Sequence, residues 1–146
     1  MSSDLTWLLL RKSNSFLVKT VPEGPVFSKE PGNLTNLHSY KYSGLANAKT
    51  IDVSASASGI RVVTRKPSAS VHAVKKARHV IGIRRGSGAR RAAGIAAKLA
   101  KSGYRSDLRK AAVARVSALH ASQKEKKPSP EKKLRGKKAV AAAKSD

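Results

Sequence analysis

The segment "TIDVSASASGIRVVTRK", residues 50–66, decides the fold of this chain. Apolar and polar residues alternate over 50–55 and again over 60–66, so every second side chain falls on the same face of a strand. Between the two runs, the small residues of "SASASG" predict a turn, and the whole segment therefore predicts a β-hairpin. The residues predicted to face inward are Ile51, Val53, Ala55, Ile60, Val62 and Thr64. Arg61 and Arg65 are predicted to face outward, beside Val63.

The N-terminal part predicts a short helix and a strand. Asp4 can cap a helix over residues 5–11 that buries its leucines and its tryptophan. Residues 15–21, "SFLVKTV", predict a strand that Pro22 ends, because proline cannot donate to a sheet. A long proline- and glycine-rich connection follows over 22–38. The side chains expected to be buried in this part are Leu5, Trp7, Leu8, Leu9, Phe16 and Phe27.

Two helices are predicted in the second half of the chain. The first covers residues 89–102, with Ser87 as its N-cap and Gly103 just past its end. The second covers residues 107–123, with Ser106 as its N-cap.

These elements predict an α+β fold: a small antiparallel sheet, an N-terminal helix, two C-terminal helices and basic extended segments. The stretch 67–83 has no strong period and is expected to be extended or mixed. From Lys124 the chain is rich in lysine, proline and alanine, which predicts a disordered C-terminal tail. The predicted divisions are a small α/β domain (1–68), a basic irregular linker (69–88), a basic helical pair (89–124) and a Lys/Ala/Pro-rich tail (125–146).

The charge of the chain predicts a polyanionic partner. Its 146 residues include 31 Lys and Arg against 8 Asp and Glu, a formal net charge of +23, and self-repulsion of this size opposes compaction. Cysteine is absent, which excludes disulfides and cysteine-based zinc sites. The apolar run over 8–10 is too short to span a bilayer and lacks the flanks of a signal peptide. We therefore expect a soluble intracellular protein without a membrane partner.

A helical wheel places the cations of the first C-terminal helix on one face. The apolar stripe consists of Ala92, Ile95, Ala96 and Leu99, and the opposite face carries Arg90, Arg91, Lys98 and Lys101. No acid interleaves with these cations, which favours contact with phosphates over plain solvation. In the second helix Arg115 falls inside the apolar stripe, so either its stem snorkels or that face is partly buried. The candidate RNA-binding residues are Arg84, Arg85, Arg90, Arg91, Lys98, Lys101, Arg105, Arg109 and Lys110.

The loop "RRGSGARR", residues 84–91, raises the alternative of a nucleotide-binding enzyme. Such loops require G-x-x-x-x-G-K-[ST] or G-x-G-x-x-G. Here Gly86 and Gly88 provide the first pair, but Arg91 occupies the position of the last glycine, and the next glycine is Gly94. We interpret the loop as a hinge and helix start flanked by arginines.

Other functional signals are weak. Tyr40 and Tyr42 flank Lys41, so on a strand they would form a stacking platform for bases, and a core role is an equal alternative. The eight acids form no close pair, and the four histidines match no metal-ligand spacing. We therefore predict no enzyme, no metal, no cofactor and no small-molecule substrate.

Several motifs occur in an order that resembles a known family. They are "LTWLLLRKSNSFLVK" (5–19), "FSKEPGNL" (27–34), "SYKYSGL" (39–45) and "YRSDLRKAAVARVSA" (104–118), followed by "SQK" (122–124). This order is similar to that of the eukaryotic ribosomal proteins of the large subunit, number twenty-eight in the L series. The resemblance covers roughly residues 1–124 and is most specific in its last long motif.

The resemblance implies a structural, non-catalytic protein of the cytosolic ribosome. It implies a small α/β domain with basic extensions, bound to folded large-subunit rRNA and beside neighbouring ribosomal proteins, after passage through the nucleus and nucleolus during assembly. An alternative is a DNA-binding chromatin protein resembling a linker histone, suggested by "SPEKK" (129–133) and the Ala/Lys tail. That alternative requires a compact winged-helix module before the tail, which the β-rich first half fits poorly.

Overall fold

The computed structural model describes residues 2–18, 23–70, 72–101, 103–125, 128–129 and 136–137. The elements are helix α1 (Ser3–Leu10), strands β1 (Leu17–Val18), β2 (Phe27–Ser28), β3 (Ile51–Ser56), β4 (Gly59–Arg65) and β5 (Arg78–Arg84), helix α2 (Ala89–Lys101), a 3-10 turn (Ser106–Leu108) and helix α3 (Arg109–Gln123). The strands form two antiparallel sheets, β1-β2 and β3-β4-β5. The predicted α+β class, with an N-terminal helix, antiparallel strands and two C-terminal helices, is confirmed. Most of the predicted tail lies outside the described residues.

The predicted hairpin is formed by β3 and β4. Ile51 lies opposite Thr64 and Val53 opposite Val62, so these apolar residues share the face that becomes buried. Ala55 lies on the same face opposite Ile60 but is exposed near the turn, contrary to the prediction. The turn falls at residues 57–58, and Gly59 follows with a φ of +140°. A side chain could not fit there, because a Cβ on Gly59 would lie 2.1 Å from the carbonyl oxygen of Ile83.

The stretch expected to be extended or mixed contains the third strand of this sheet. Strand β5 pairs along the whole of β4, with Val80 opposite Val63 and Arg78 opposite Arg65. Within β5 only Ile83 is buried. Because so little of β5 is buried, its residues show no clean alternation of apolar and polar side chains, and hydrophobic periodicity does not predict this strand.

Helix α3 packs across the inner face of the three-stranded sheet, and α2 packs along α3. Alanines dominate their buried stripes, which lets the two helices approach each other and the sheet closely. The buried core consists of Leu34, Ile51, Val53, Ile60, Val62, Ile83, Ala92, Ala96, Ala100, Leu108, Ala112 and Val116. The predicted apolar stripe of α2 therefore faces the core.

The ends of the two C-terminal helices differ in detail from the prediction. The first helical hydrogen bond of α2 runs from Ala92 N to Gly88 O at 3.1 Å, so the glycine stands where Ser87 was expected to cap. At the other end Gly103 has a φ of +73°, as a residue just past a helix end commonly does. Helix α3 is preceded by the 3-10 turn that contains Ser106 and therefore begins two residues later than predicted.

Helix α1 has a different cap and different surroundings from those predicted. Its N-cap is Ser2, whose side chain accepts a hydrogen bond from Leu5 N at 3.3 Å, so the assignment to Asp4 was wrong. Trp7 is half-buried, with its ring centroid 4.8 Å from that of His38. Five side chains predicted to be buried are instead exposed: Leu5 (48%), Leu8 (58%), Leu9 (65%), Phe16 (37%) and Phe27 (41%). The core forms between the sheet and the other two helices, and α1 lies outside it.

The connection between the two sheets is held by a buried polar cluster. The Glu30 carboxylate accepts hydrogen bonds from Asn33 Nδ2 at 3.0 Å and from Ser43 Oγ at 3.1 Å. The Asn33 amide also donates to Leu37 O at 2.9 Å. These bonds satisfy a buried charge and fix the loops that border the outer face of the three-stranded sheet.

Candidate nucleic-acid interface

The exposed face of α2 carries three of the four cations that the wheel placed there. Arg90, Arg91 and Lys98 are exposed, while Ala92 and Ala96 on the opposite side are completely buried. Lys101 ends the helix, and its side chain lies outside the described residues. The face is therefore turned away from the core and is open to an external partner.

The antiparallel arrangement of α2 and α3 places the candidate cations at both ends of the helical pair. The loop before α2 lies beside the end of α3, because His120 donates from Nε2 to Ser87 O at 2.7 Å. At this end lie Arg84, Arg85, Arg90 and Arg91. At the opposite end, where α2 finishes and α3 begins, lie Lys98, Arg109 and Lys110. Of these three, Lys98 belongs to α2, whereas Arg109 and Lys110 are the first two residues of α3, and both are exposed.

Arg84 and Arg85 differ in how they are held. Arg84 is exposed at the end of β5. Arg85 donates from Nε and Nη2 to Gln123 O, at 3.3 and 3.0 Å, and so joins the loop to the last turn of α3. The side chain of Gln123 in turn donates to Gly59 O at 2.8 Å. The position of Arg85 is thus tied to the helix end and, through it, to the hairpin turn.

Arg105 is engaged by several groups inside the protein. Its guanidinium donates to both carboxylate oxygens of Asp107 (2.9 and 2.8 Å), to Lys49 O (3.0 Å) and to Lys41 O (2.8 Å). Four of its five N–H groups are therefore used, and one is left for an external phosphate. The hydrogen bond from Arg105 holds the pKa of Asp107 below its ordinary value.

Tyr104, the neighbour of Arg105, closes the open end of the β3–β4 hairpin. Its hydroxyl accepts hydrogen bonds from Thr50 N at 2.9 Å and from Arg65 N at 3.1 Å, and it donates to Arg65 O. Burial raises the pKa of Tyr104, and this effect outweighs the hydrogen bonds from Thr50 and Arg65 that lower it. The "YRSD" motif thus fixes the helical pair against the sheet.

The two C-terminal helices carry no acid, and three acids outside them are engaged elsewhere in the described part of the chain. Helices α2 and α3 contain no Asp or Glu. Asp107 pairs with Arg105 at 2.8 Å, Glu30 is enclosed in the buried polar cluster, and Asp52 accepts a hydrogen bond from Gly32 N at 3.4 Å. The positive charge of the helical pair is consequently unopposed by acids of its own helices.

The tyrosine pair does not form the predicted stacking platform. Residues 39–43 form turns, so Tyr40 and Tyr42 are not on a common strand face. The Tyr40 hydroxyl lies 2.8 Å from Ser3 Oγ, and its ring is 6.0 Å from that of Trp7. Tyr42 packs against the core. The alternative of a structural role is the one the structure favours.

Other sequence features have the following positions. Arg115 is half-buried on α3, and its enclosed Nε has no hydrogen-bond partner within the described residues. Within the described part of the chain, no cluster of His, Asp and Glu could hold a metal ion. The helices described there are too short or too polar to cross a bilayer. Three outward-facing arginines of the sheet, Arg61, Arg65 and Arg78, were not among the candidates, and only the pairing of β4 with β5 brings them together.

Comparison with known proteins extends the likeness over most of the chain. The sequence model of the Ribosomal L28e protein family matches residues 5–122. The large ribosomal subunit protein eL28 of Schizosaccharomyces pombe is 35% identical over 129 residues, which are 87% of this chain and 96% of the relative. The eL28 of Dictyostelium discoideum is 53% identical over 55 residues, 38% of this chain and 40% of the relative. That of Caenorhabditis elegans is 46% identical over 65 residues, 44% of this chain and 52% of the relative.

Proposed function

Because this chain belongs to the ribosomal L28e protein family, we propose that it is a structural constituent of the large subunit of the cytosolic ribosome. Its role is to bind and stabilise folded rRNA by neutralising phosphates and fitting the shape of the RNA. Its partners are large-subunit rRNA and neighbouring ribosomal proteins, and it has no catalytic step of its own. Assembly takes it through the nucleus and nucleolus before it works in the cytoplasm.

The observation that carries this proposal is the acid-free cation face of α2. Arg90 and Arg91 project from the first turns of a helix whose opposite side is packed into the core. Cations at a helix N-terminus are unfavourable, because the helix dipole is positive there. Two adjacent arginines at that end therefore destabilise the isolated protein slightly, and they become stabilising only when a bound anion neutralises them.

Gly94 supports a close approach of the RNA backbone to this face. It lies near the middle of α2, on the exposed side between Arg90, Arg91 and Lys98, and a Cβ added there would meet no protein atom within 4 Å. A glycine inside a helix is less favourable than an alanine by roughly 0.5–1 kcal/mol. Because an added Cβ would meet no protein atom, packing within the protein does not explain why position 94 is a glycine. A phosphate that approaches the helix backbone between the cations would use the space.

The mechanism is counterion release combined with bidentate binding. Arginine presents a planar fork of N–H donors that suits two phosphate oxygens, and arginines at the two ends of the helical pair can bind separate RNA segments. The A-form major groove offers little sequence to a protein side chain, so the contacts recognise shape. Arg105 contributes mainly by positioning, because its guanidinium holds the 3-10 turn against the loops at Lys41 and Lys49.

Family membership favours the ribosome over the chromatin alternative. The match spans the β-rich first half as well as the helical pair, whereas a linker histone would require a winged helix before the tail. Sedimentation of cell extract on a sucrose gradient separates the two possibilities. The chain should travel with large subunits at low salt, and a protein that remained with chromatin would contradict the proposal.

A charge-matched pair of variants tests the cation face. Arg90→Ala/Arg91→Ala removes two exposed cations of α2, and Arg11→Ala/Lys12→Ala removes two exposed cations that follow α1. Binding to a folded large-subunit rRNA fragment is measured across a salt series. Each lost phosphate contact should reduce the slope of log affinity against log salt by about 0.7–0.9, so the α2 variant should lose roughly 1.4–1.8. Equal losses in both variants would mean that net charge, and not this face, determines binding.

A further inference from the structure

The outer face of the three-stranded sheet is a second basic surface, separate from the helical pair. Helix α3 packs on the inner face, which carries Ile51, Val53, Ile60, Val62 and Ile83. The residues that alternate with these along the strands therefore face the opposite, outer side. The register places Val80 beside Val63 and Arg78 beside Arg65. Asp52 of β3 lies opposite Val63 on its other side. The centre of this face is therefore apolar, with Arg65 and Arg78 next to it along the strands and the Asp52 carboxylate at its edge.

Loops on two sides enclose the apolar centre of the outer face and form a cavity of about 270 Å³. The 31–32 and 44–45 segments border one side, and residues of the 73–77 segment border the other. Gly44 allows the first wall to close, because a Cβ on it would lie 2.0 Å from Pro31 O. The volume is near the lower end of the range for ligand pockets, which suits one small planar group rather than a folded segment.

The polar side chains of the cavity can still form hydrogen bonds with an occupant. Arg61, Arg65 and Arg78 line it, and within the described residues their guanidinium groups make no hydrogen bond or ion pair with the protein. The Asp52 carboxylate accepts one hydrogen bond, from Gly32 N at 3.4 Å. A carboxylate has about four acceptor positions, so it can accept further donors from an occupant.

We propose that this cavity binds one unpaired nucleotide of rRNA, with its base against Val63 and Val80 and its flanking phosphates on the arginines. This inference rests on the proposed function and names a second RNA site on the opposite side of the sheet. Unpaired bases are the part of folded RNA that proteins can reach and stack against, including on arginine planes. Asp52 selects bases with an exocyclic amino group, such as cytosine, because an ionised carboxylate can only accept hydrogen bonds.

An acidic peptide of a neighbouring protein is the competing occupant, and the cavity suits it less well. A peptide strand would add to the free edge of β3 or β5 rather than lie across the face of the sheet. Asp52 would also repel its carboxylates, whereas it attracts the amino group of a base. The floor of two valines offers a flat apolar contact that a base can use and a glutamate side chain cannot.

The test uses the full chain with ¹³C-labelled valine methyl groups and two unpaired RNA probes of equal charge. Hexacytidylate carries the amino group, and hexauridylate carries a carbonyl in its place. We expect shifts of the Val63 and Val80 methyl resonances with hexacytidylate, which should bind about tenfold more tightly than hexauridylate. Asp52→Asn should bring the two affinities to within about twofold of each other. If charge alone mattered, Asp52→Asn would instead strengthen the binding of both probes equally.

Three other outcomes would contradict the inference, each for a different reason. If the chain binds an rRNA duplex but neither hexanucleotide moves the Val63 or Val80 resonances, the cavity is not a nucleotide site, while the proposed function stands. If no RNA binds at all, the proposed function fails as well. If hexaglutamate shifts the same methyl groups as strongly as hexacytidylate, the occupant is a protein. Arg90→Ala serves as the control, because it should weaken duplex binding and leave the valine shifts unchanged.

Discussion

Tyr104→Phe removes a single oxygen atom that joins the helical pair to the sheet. That hydroxyl is bonded to the backbone of Thr50 and of Arg65, at the point where β3 begins and β4 ends. Without it, Thr50 N and Arg65 O each lose a partner, whereas Arg65 N keeps a second acceptor in Thr50 O at 3.2 Å. The damage is therefore confined to two half-buried backbone groups and to the orientation of the "YRSD" turn.

The size of the effect follows from these two groups. A fully buried polar group that loses its partner costs about 1–3 kcal/mol. At these half-buried sites water can partly replace the lost partner, so each of the two groups should cost roughly 0.5–1 kcal/mol and the total should be roughly 1–2 kcal/mol. For a chain of this size, each kcal/mol corresponds to about 3–4 °C in the melting temperature, so a decrease of about 3–8 °C is expected. RNA binding should weaken only as far as the helical pair loses its fixed orientation.

Thermal and urea denaturation of the full chain measure this loss. Tyr40→Phe is the matched control, because it removes the same atom from an exposed hydrogen bond with Ser3 Oγ and should change stability by less than about 0.5 kcal/mol. A pH series adds a second observation. Because burial raises the pKa of Tyr104, its contribution is fully present below the ordinary tyrosine pKa and is lost as pH rises through the raised value. Equal stability of the two variants, together with an unchanged alkaline limb in Tyr104→Phe, would refute the reasoning.

Three further substitutions test other parts of the structure. Gly59→Ala should destabilise the chain by about 2 kcal/mol or more in urea denaturation, since its φ is +140° and its Cβ would meet the Ile83 carbonyl; a loss below 0.5 kcal/mol, as an order of magnitude, would contradict this. Gly94→Ala should stabilise the free chain by roughly 0.5–1 kcal/mol and weaken rRNA binding, and a gain in both measurements would argue against a close approach of phosphate at this face. Asp107→Asn removes a carboxylate whose pKa is lowered by the hydrogen bond from Arg105. The wild type should therefore lose an extra contribution, below about 1 kcal/mol for so exposed a pair, as pH falls through that lowered pKa, and the variant should show no such acid limb in a pH-dependent melting series.

Much of the fold could be predicted because its signals are local. The alternation over residues 50–66 predicted β3 and β4 with the correct inward face, and the 3.6-residue period predicted the buried stripe of α2. The motif order likewise identified the family that the comparison then showed. Strand β5 and the surroundings of α1 could not be predicted in this way. The first has little buried surface, and the leucines of the second form an apolar face that the core does not cover.

The candidate site shows the same division. That Arg90, Arg91 and Lys98 share an exposed face follows from helical geometry alone. The cavity on the outer face of the sheet has no local signal, because its walls come from segments far apart in sequence.

The sequence by itself determined the charge, the periodicities of its hairpin and helices, and hence the side of β3, β4 and α2 that faces water. Only the tertiary structure decided which cations remain available to a partner. Arg105 stands in the most specific motif, yet its guanidinium is engaged by the carbonyls of Lys41 and Lys49, more than fifty residues earlier in the chain. Periodicity depends on neighbours along the chain, whereas the availability of a hydrogen-bond donor depends on which distant backbone groups the fold brings to it.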